Sequence, residues 1–313
     1  MKKYGFGVDV GGTTCKIGLF ETDGKIIEKW EIPTNTSEDG KNILSDVAGS
    51  LHKKMSEKHI LKEELEGIGV GLPGPVQENG IVPVCVNLGW KDMDVAKELE
   101  KLMDGIRVKA GNDANVAALG EMWQGGGKGC DNVVMVTLGT GVGGGIIING
   151  KVVSGSHGAG GEIGHITVNP HETVSCNCKR KGCLEQYASA TGITRLAKEF
   201  LSKEHEKSQL DQAEDISAKA VFDAYKNGDY AAGQIVEKFA KILGSALSNI
   251  ACVADPEIFV IGGGVSKAGK PLLDIVEKYF RQAAFSSCKN TRFALASLGN
   301  DAGMYGCVKL ILD

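Results

Sequence analysis

The chain has no run of about 20 apolar residues, so nothing in it reads as a membrane-spanning helix. It has no surplus of one charge: Lys+Arg 35 against Asp+Glu 39 leaves −4, a balance that invites neither nucleic acid nor an anionic membrane. Low-complexity tracts, a Ser/Gly linker and an N-terminal helix-turn-helix are missing. Lys2 and Lys3 open like a signal peptide, but Asp9 interrupts before an apolar stretch develops, which makes the cytoplasm the expected compartment. No Gly-x-x-x-x-Gly-Lys-Ser/Thr occurs, so there is no P-loop. Hydrophobic content of 42% and charged content of 24% over 313 residues leave an ordinary globular chain, long enough for two lobes.

What is abundant is glycine, 44 residues in clusters, which signals turns with positive φ or backbone that approaches something closely. Residues 4–33 read as strand, "DVGGTT" turn, strand "CKIGLF", an Asp23-Gly24 turn and strand "KIIEKWEI". From Asn132 the pattern returns in "NVVMVTLGTGVGGGIIINGKVVSG". Residues 4–33 and 133–154 look like two copies of one hairpin unit, which points to a duplicated lobe rather than a solenoid. Ser37 is placed to cap a helix with Ile43, Leu44, Val47, Ala48, Leu51 and Met55 on one face. Val95, Leu99, Leu102 and Met103 mark another helix, and 106–113 is a strand that stops at two polar residues. A long helix around 230–253 ends at Asp255-Pro256 before the strand "EIFVIGGGV". The expected architecture is α/β, with two similar lobes each pushing a Gly/Thr turn towards a cleft suited to a phosphate chain.

In the first turn, Gly11 and Gly12 free backbone N–H groups to face anions, Thr13 can donate to a phosphate oxygen, and Asp9 is placed for water-mediated Mg²⁺. A plain hairpin favours the same residues. The second turn, Gly139-Thr140-Gly141 followed by Gly143 to Gly145, holds more glycine than a simple turn needs. Neither turn opens a helix, as a dinucleotide fold requires. Asn112-Asp113 precedes the helical "ANVAALGEMW" and reads two ways. It is a helix cap, or it supplies a carboxylate kept ionised at a helix start that takes a hydroxyl proton during phosphoryl transfer.

Six of the nine cysteines (Cys15, Cys85, Cys130, Cys252, Cys288, Cys307) stand singly and read as small buried hydrophobes in a reducing compartment. Cys176, Cys178 and Cys183 lie within eight residues; with one imidazole they make a Cys₃His set, a closed tetrahedral zinc site. Their Cys-x-Cys start is not the redox spacing, and a disulfide leaves one thiol over. The spacing leaves His165, in "GEIGH", and the nearer His171 both open as fourth ligand. Lys179-Arg180-Lys181 inside the knot, without interleaved aromatics, reads as a solvated loop.

In order, "DVGGTTCKIGLF", "GNDANVAALGE", "LGTGVGGGIIINGKVVSGSHGAGGEIGH", "CNCKRKGCLEQ" and "VIGGGVS" resemble the motifs of the ROK family (repressors, sugar kinases and open reading frames) across nearly the whole chain. The resemblance implies a two-lobed actin/hexokinase-like (ribonuclease H-like) ATPase fold, commonly assembled as a homodimer. A small lobe, 1–112, would be completed by a helix within 300–313, and a larger lobe, 113–299, would carry the zinc. It implies that Asp9, Gly11, Gly12 and Thr13 form one phosphate loop and Gly139, Thr140 and Gly141 the other, with Gly262, Gly263 and Gly264 beside adenosine. Asp113 is similar to the family's catalytic base, and Asn112, Glu162, His165 and Glu185 to its sugar-hydroxyl ligands. The family's fourth zinc ligand is the His of Glu-x-Gly-His, which selects His165 over His171. Zinc then orders the sugar pocket without taking part in the chemistry. One departure is Lys179, which stands where the family usually has Gly and demands a different backbone or some strain.

The expectation is therefore a kinase that uses ATP, with Mg²⁺, to phosphorylate glucose at the 6-hydroxyl, with a structural zinc. Kinases for fructose, allose, N-acetylglucosamine or N-acetylmannosamine form the alternative within the enzyme class. From another class, a sugar-responsive repressor calls for a DNA-binding domain before Tyr4, and a non-catalytic sugar sensor is opposed by Asp113 and both phosphate loops.

Overall fold

A computed structural model describes residues 2–77, 79–203, 207–212 and 215–313. The chain opens with β1 (Tyr4–Val10), β2 (Thr14–Glu21), β3 (Ile26–Pro33), a four-residue α1 (Ser37–Gly40), α2 (Ile43–Lys58) and β4 (Leu65–Leu72). A small hairpin, β5 (Ile81–Cys85) and β6 (Trp90–Asp94), leads to α3 (Val95–Leu102), β7 (Val108–Asn112) and α4 (Asp113–Gln124). Then come β8 (Val133–Leu138), β9 (Val142–Ile148), β10 (Lys151–Val152), α5 (Glu185–Ala188), α6 (Ala190–Leu201), α7 (Ala218–Lys226) and α8 (Tyr230–Ala254). The chain closes with β11 (Ile258–Gly262), α9 (Lys270–Ala283), β12 (Arg292–Leu295) and α10 (Ala302–Leu312).

Two five-stranded sheets share one plan. The first runs β3-β2-β1-β4-β7 and the second β10-β9-β8-β11-β12. β1 is antiparallel to β2 and parallel to β4, which is parallel to β7. Likewise β8 is parallel to β11, and β11 to β12, while β10 is antiparallel to β9. In each sheet a back-and-forth ribbon fills one side of its first strand, and strands reached through helical crossovers fill the other. The resemblance between 4–33 and 133–154 is thus a repeat of sheet topology.

By its internal contacts the chain divides into two compact units, 1–131 with 145–161 and 297–313, and 132–144 with 162–296. The expected lobes are 1–112 with a helix within 300–313, and 113–299; this division instead puts 113–131 and 145–161 with the first unit. α4 stays with the first unit because it lies against α10, backbone on backbone: a Cβ on Gly306 would fall 1.5 Å from the Val116 carbonyl oxygen.

In the first unit, alternation puts opposite demands on the two faces of the sheet. One face carries Phe6, Val8, Ile68 and Val70, buried with Leu44, Leu51 and Leu99 from α2 and α3. The other carries Gly5, Gly7, Gly69 and Gly71, and α10 lies on that bare strip. A Cβ on Gly7 would come within 2.2 Å of the Met304 carbonyl oxygen, and one on Gly69 within 1.8 Å of that of Cys307. Many of the clustered glycines therefore admit a helix rather than a ligand. Two local expectations fail here. Glu38 and Asp39 take positive φ, so α2 starts at Ile43 after Asn42 and Ser37 does not cap it. Leu102 is exposed, and the α3 stripe is completed by Met103 just past the helix end.

In the second unit, α9 packs against β12 and α8 against α9, and Phe259, Phe280 and Phe293 meet at centroid distances of 5.1–5.5 Å, with Phe280 edge-on to the other two rings. Asp255, at φ 40, ends α8. Five of the six single cysteines are buried; Cys252 is exposed, on the solvent side of α8 beside exposed Val253. Among the described residues no helix is long and apolar enough to cross a membrane.

Candidate functional site

The first unit supplies a carboxylate pair beside a glycine turn. Asp9 ends β1 opposite Lys16 on β2 and Gly71 on β4. Burial, and then the charge of Asp113, push its carboxyl up to about 6, while Lys16 pulls the other way. The turn that follows is closed by Gly11 N–H donating to the Thr14 carbonyl at 3.0 Å. Thr34 holds it from outside, its hydroxyl donating to the Gly11 carbonyl at 2.7 Å. Gly11 and Gly12 do not have positive φ, and a Cβ on Gly12 would meet nothing within 4 Å. At Gly12 the fold itself does not require glycine, so room is kept for something outside the chain, whereas a Cβ on Gly11 would come 3.0 Å from the Thr14 carbonyl oxygen. Thr13 is exposed on the same turn.

Asn112, not Asp113, caps α4: its side-chain oxygen accepts from Asn115 N–H at 3.1 Å. Its amide donates to the Gly74 carbonyl at 3.0 Å and to Asp113 Oδ1 at 2.9 Å, so the Pro73-Gly74-Pro75 loop braces this position. Asp113 is the first helical residue, exposed, with Oδ1 also accepting from Ala114 N–H at 2.7 Å. The helix start favours its ionised form. Two acidic groups that repel one another beside a turn of open N–H groups suit Mg²⁺, which takes carboxylate and phosphate oxygens together. Asn87 lies exposed in the turn after β5.

The second unit supplies the other glycine turn and the cysteine knot. Gly139 N–H donates to the Gly141 carbonyl at 3.0 Å. From the α6 start, Ala190 N–H donates to the Gly139 carbonyl at 2.8 Å and the Thr191 hydroxyl to the Thr140 carbonyl at 2.8 Å. A Cβ on Gly139 or Gly264 would meet nothing within 4 Å, whereas Gly263 has φ +83 and Gly262 packs against Met135 and Ala296. Near Gly264 a cavity of about 300 Å³ is lined by Ala190, Ala218, Phe222, Val265 and Ala268, with Lys219 and Asp223 at its polar side. That size and apolar lining suit a flat heteroaromatic ring. Composition did not mark this cavity; only the i, i+4 spacing of Ala218 and Phe222 hinted at an apolar face.

In the knot, one donor atom each from His165, Cys176, Cys178 and Cys183 lies within 4.8 Å of the others, and His171 is not among them. Cys178 Sγ and Cys183 Sγ are 3.6 Å apart, close to the edge of about 3.8 Å that a tetrahedron with 2.3 Å Zn–S bonds requires. His165 Nδ1 is buried without a hydrogen-bond partner. A buried imidazole nitrogen without a partner, on a ring gathered with three thiols, fits zinc. Burial, and then Glu185, push the Cys176 thiol up to about 12, while the Arg180 N–H pulls Cys178 down. Lys179 sits at φ +67, so the loop keeps its left-handed turn and the lysine carries the strain.

The knot also gathers the three residues expected around the sugar within this unit. His165 Nδ1 is 3.9 Å from Glu185 Oε1 and Nε2 is 3.9 Å from Glu162 Oε2. Glu185, at the start of α5, accepts from Cys176 Sγ at 2.7 Å. Its other oxygen lies over Gly141, where a Cβ would approach to 2.6 Å.

The sequence of residues 5–313 matches the model of the ROK family. A glucokinase of Halalkalibacterium halodurans is 46% identical over 306 residues, 96% of this chain and 92% of that protein. The crystal structure of a ROK family glucokinase from Streptomyces griseus in complex with glucose and AMPPNP is 32% identical, with TM-score 0.73 over 98% of both chains. A ROK hexokinase from Thermus thermophilus is 28% identical, with TM-score 0.80 over 98% of this chain and 97% of that one.

Proposed function

The chain belongs to the ROK family, with its two-lobed actin/hexokinase-like fold, and from that premise we propose that it is an ATP-dependent glucokinase that makes glucose 6-phosphate. The observation that carries phosphoryl transfer is Asp113, exposed at the first turn of α4 and within charge reach of Asp9 beside an open glycine turn. The likeness to glucokinases supports glucose as acceptor and ATP as donor.

In this reading Asp113 receives the proton of the sugar 6-hydroxyl as that oxygen bonds to the γ-phosphorus and the bond to the β–γ bridging oxygen breaks, releasing ADP. Asn112 holds Asp113 in place and, with Glu162, His165 and Glu185, binds sugar hydroxyls. The Gly11-Gly12 and Gly139-Gly141 turns, closed by the Gly11 and Gly139 N–H groups, take the phosphate oxygens through their remaining N–H groups, with the Thr13 and Thr140 hydroxyls. Gly262, Gly263 and Gly264 border the adenosine, and the neighbouring cavity takes its base. Mg²⁺, which Asp9 would hold, supplies charge neutralisation on the transferring group. Zinc, held by His165, Cys176, Cys178 and Cys183, supplies structure only, tying the segment of Glu162 and His165 to that of Glu185. Assembly as a homodimer or higher homo-oligomer and a cytoplasmic location belong to the same reading and rest on the family likeness.

A coupled assay across a panel of hexoses tests the acceptor, with glucose expected to give the highest kcat/KM. Asp113→Asn is expected to lower kcat by at least about a hundredfold while glucose still binds. Near-normal turnover in that variant removes Asp113 from the base role.

A further inference from the structure

The carboxylate of Asp9 does not rest on its own hairpin. It rests on the first turn of α10, nearly 300 residues later. A Cβ on Gly303, the second residue of that helix, would lie 2.7 Å from both Cγ and Oδ2 of Asp9 and 3.2 Å from Oδ1. On the other side Gly71 leaves Oδ1 its room, with 3.6 Å to its own absent Cβ.

The helix has nowhere to retreat. Gly7 meets the Met304 carbonyl, Gly69 that of Cys307, and Gly306 that of Val116, each at a separation that excludes even one methyl group. Cys307 Sγ donates to the Val8 carbonyl at 3.3 Å, next to Asp9 in the chain. The approach to α10 is also pinned, because the buried carboxylate of Glu121 accepts from Ser297 N–H at 3.0 Å and Leu298 N–H at 2.8 Å. With α10 held from three sides, a methyl group on residue 303 displaces its nearest neighbour, the Asp9 side chain.

We infer that Gly303 is a positioning residue: its missing side chain is the seat on which the Asp9 carboxylate is aimed, so α10 sets the geometry of the Mg²⁺–phosphate end of the reaction. The inference deepens the proposed function and rests on Asp9 serving Mg²⁺-nucleotide. Glycine inside a helix ordinarily costs stability relative to alanine, so its presence at this position needs a local reason.

The test is a cycle of Gly303→Ala and Asp9→Ala in the full chain. Thermal unfolding without metal or nucleotide is the first readout. Gly303→Ala is expected to lower Tm with Asp9 present and to raise it in the Asp9→Ala background, where the methyl group has space. Calorimetry with Mg²⁺ and a non-hydrolysable ATP analogue is the second. Gly303→Ala is expected to weaken Mg²⁺-dependent binding by roughly tenfold to a hundredfold, the range seen when a ligand's support is removed, with no further loss on top of Asp9→Ala. Glucose affinity is expected to stay unchanged.

Equal Tm shifts in the two backgrounds, or additive losses of affinity, overturn the inference. Should Gly303→Ala not fold, the double variant is expected to fold; if it does not, the clash lies with backbone and the inference fails. If Asp9→Ala itself leaves Mg²⁺-dependent binding intact, the reading of Asp9 fails instead, and the Tm cycle still decides the packing.

Discussion

Glu121 is a fully buried carboxylate on α4, and its replacement offers a sharp test of how the first unit is held together. Its Oε1 accepts from Ser297 N–H at 3.1 Å and Leu298 N–H at 2.8 Å. Its Oε2 accepts from Ser297 N–H at 3.0 Å and Gly126 N–H at 2.8 Å. Three backbone donors thus depend on one acceptor-only side chain. Glutamine keeps the shape but turns one oxygen into a donor. Whichever way the amide faces, either Gly126 or Leu298 loses its partner and meets an N–H group instead. Each buried polar group left unpaired costs about 1–3 kcal/mol, so the orphaned backbone N–H and the amide together cost about 2–6 kcal/mol. That is a large share of the 5–15 kcal/mol typical of a folded domain. Urea unfolding of Glu121→Gln against wild type measures it, and Glu121→Ala, which orphans all three donors and opens a void, is expected to cost more. A change below about 1 kcal/mol in the glutamine variant refutes the reasoning, because it means these donors find water or other partners.

Two further outcomes are expected. Lys179→Gly relieves a left-handed lysine and is expected to stabilise the protein by about 0.5–1 kcal/mol, with one zinc per chain retained by metal analysis. Substantially less zinc in freshly purified wild type rules out the metal instead. Glu172 is held at about 2 by the Tyr187 hydroxyl first and by Arg195 next. Its folded pKa is depressed, so its stabilisation is present above about 4.5 and is lost as pH falls towards 2. Glu172→Gln is accordingly expected to cost about 1–3 kcal/mol at pH 7, a gap that closes across that window; a gap independent of pH contradicts the assignment.

Local chemistry wrote much of this protein openly. The glycine-threonine turns after β1 and β8, the paired hairpins, the α8 stripe and the three thiols within eight residues all involve groups close in the chain, where periodicity and turn preference act directly. The same locality misled at Ser37, where positive φ at Glu38 and Asp39 breaks the helix the cap was meant to start.

Other features exist only once distant segments meet. Spacing left His165 and His171 both open, and the fold gathers a ring nitrogen of His165, and not His171, with the thiols. Asn112-Asp113 read as cap or base, and the fold gave the capping bond to Asn112 while leaving Asp113 exposed. Nothing local showed that Glu121 would bind residues 176 positions away, or that Gly303 would lie under Asp9. Sequence alone thus determined the turns, the strands and the cluster of three thiols, because each depends on neighbours a few residues off. The tertiary structure decided which glycines admit a helix and which stay open, because a missing Cβ acquires meaning only from what approaches it across the fold.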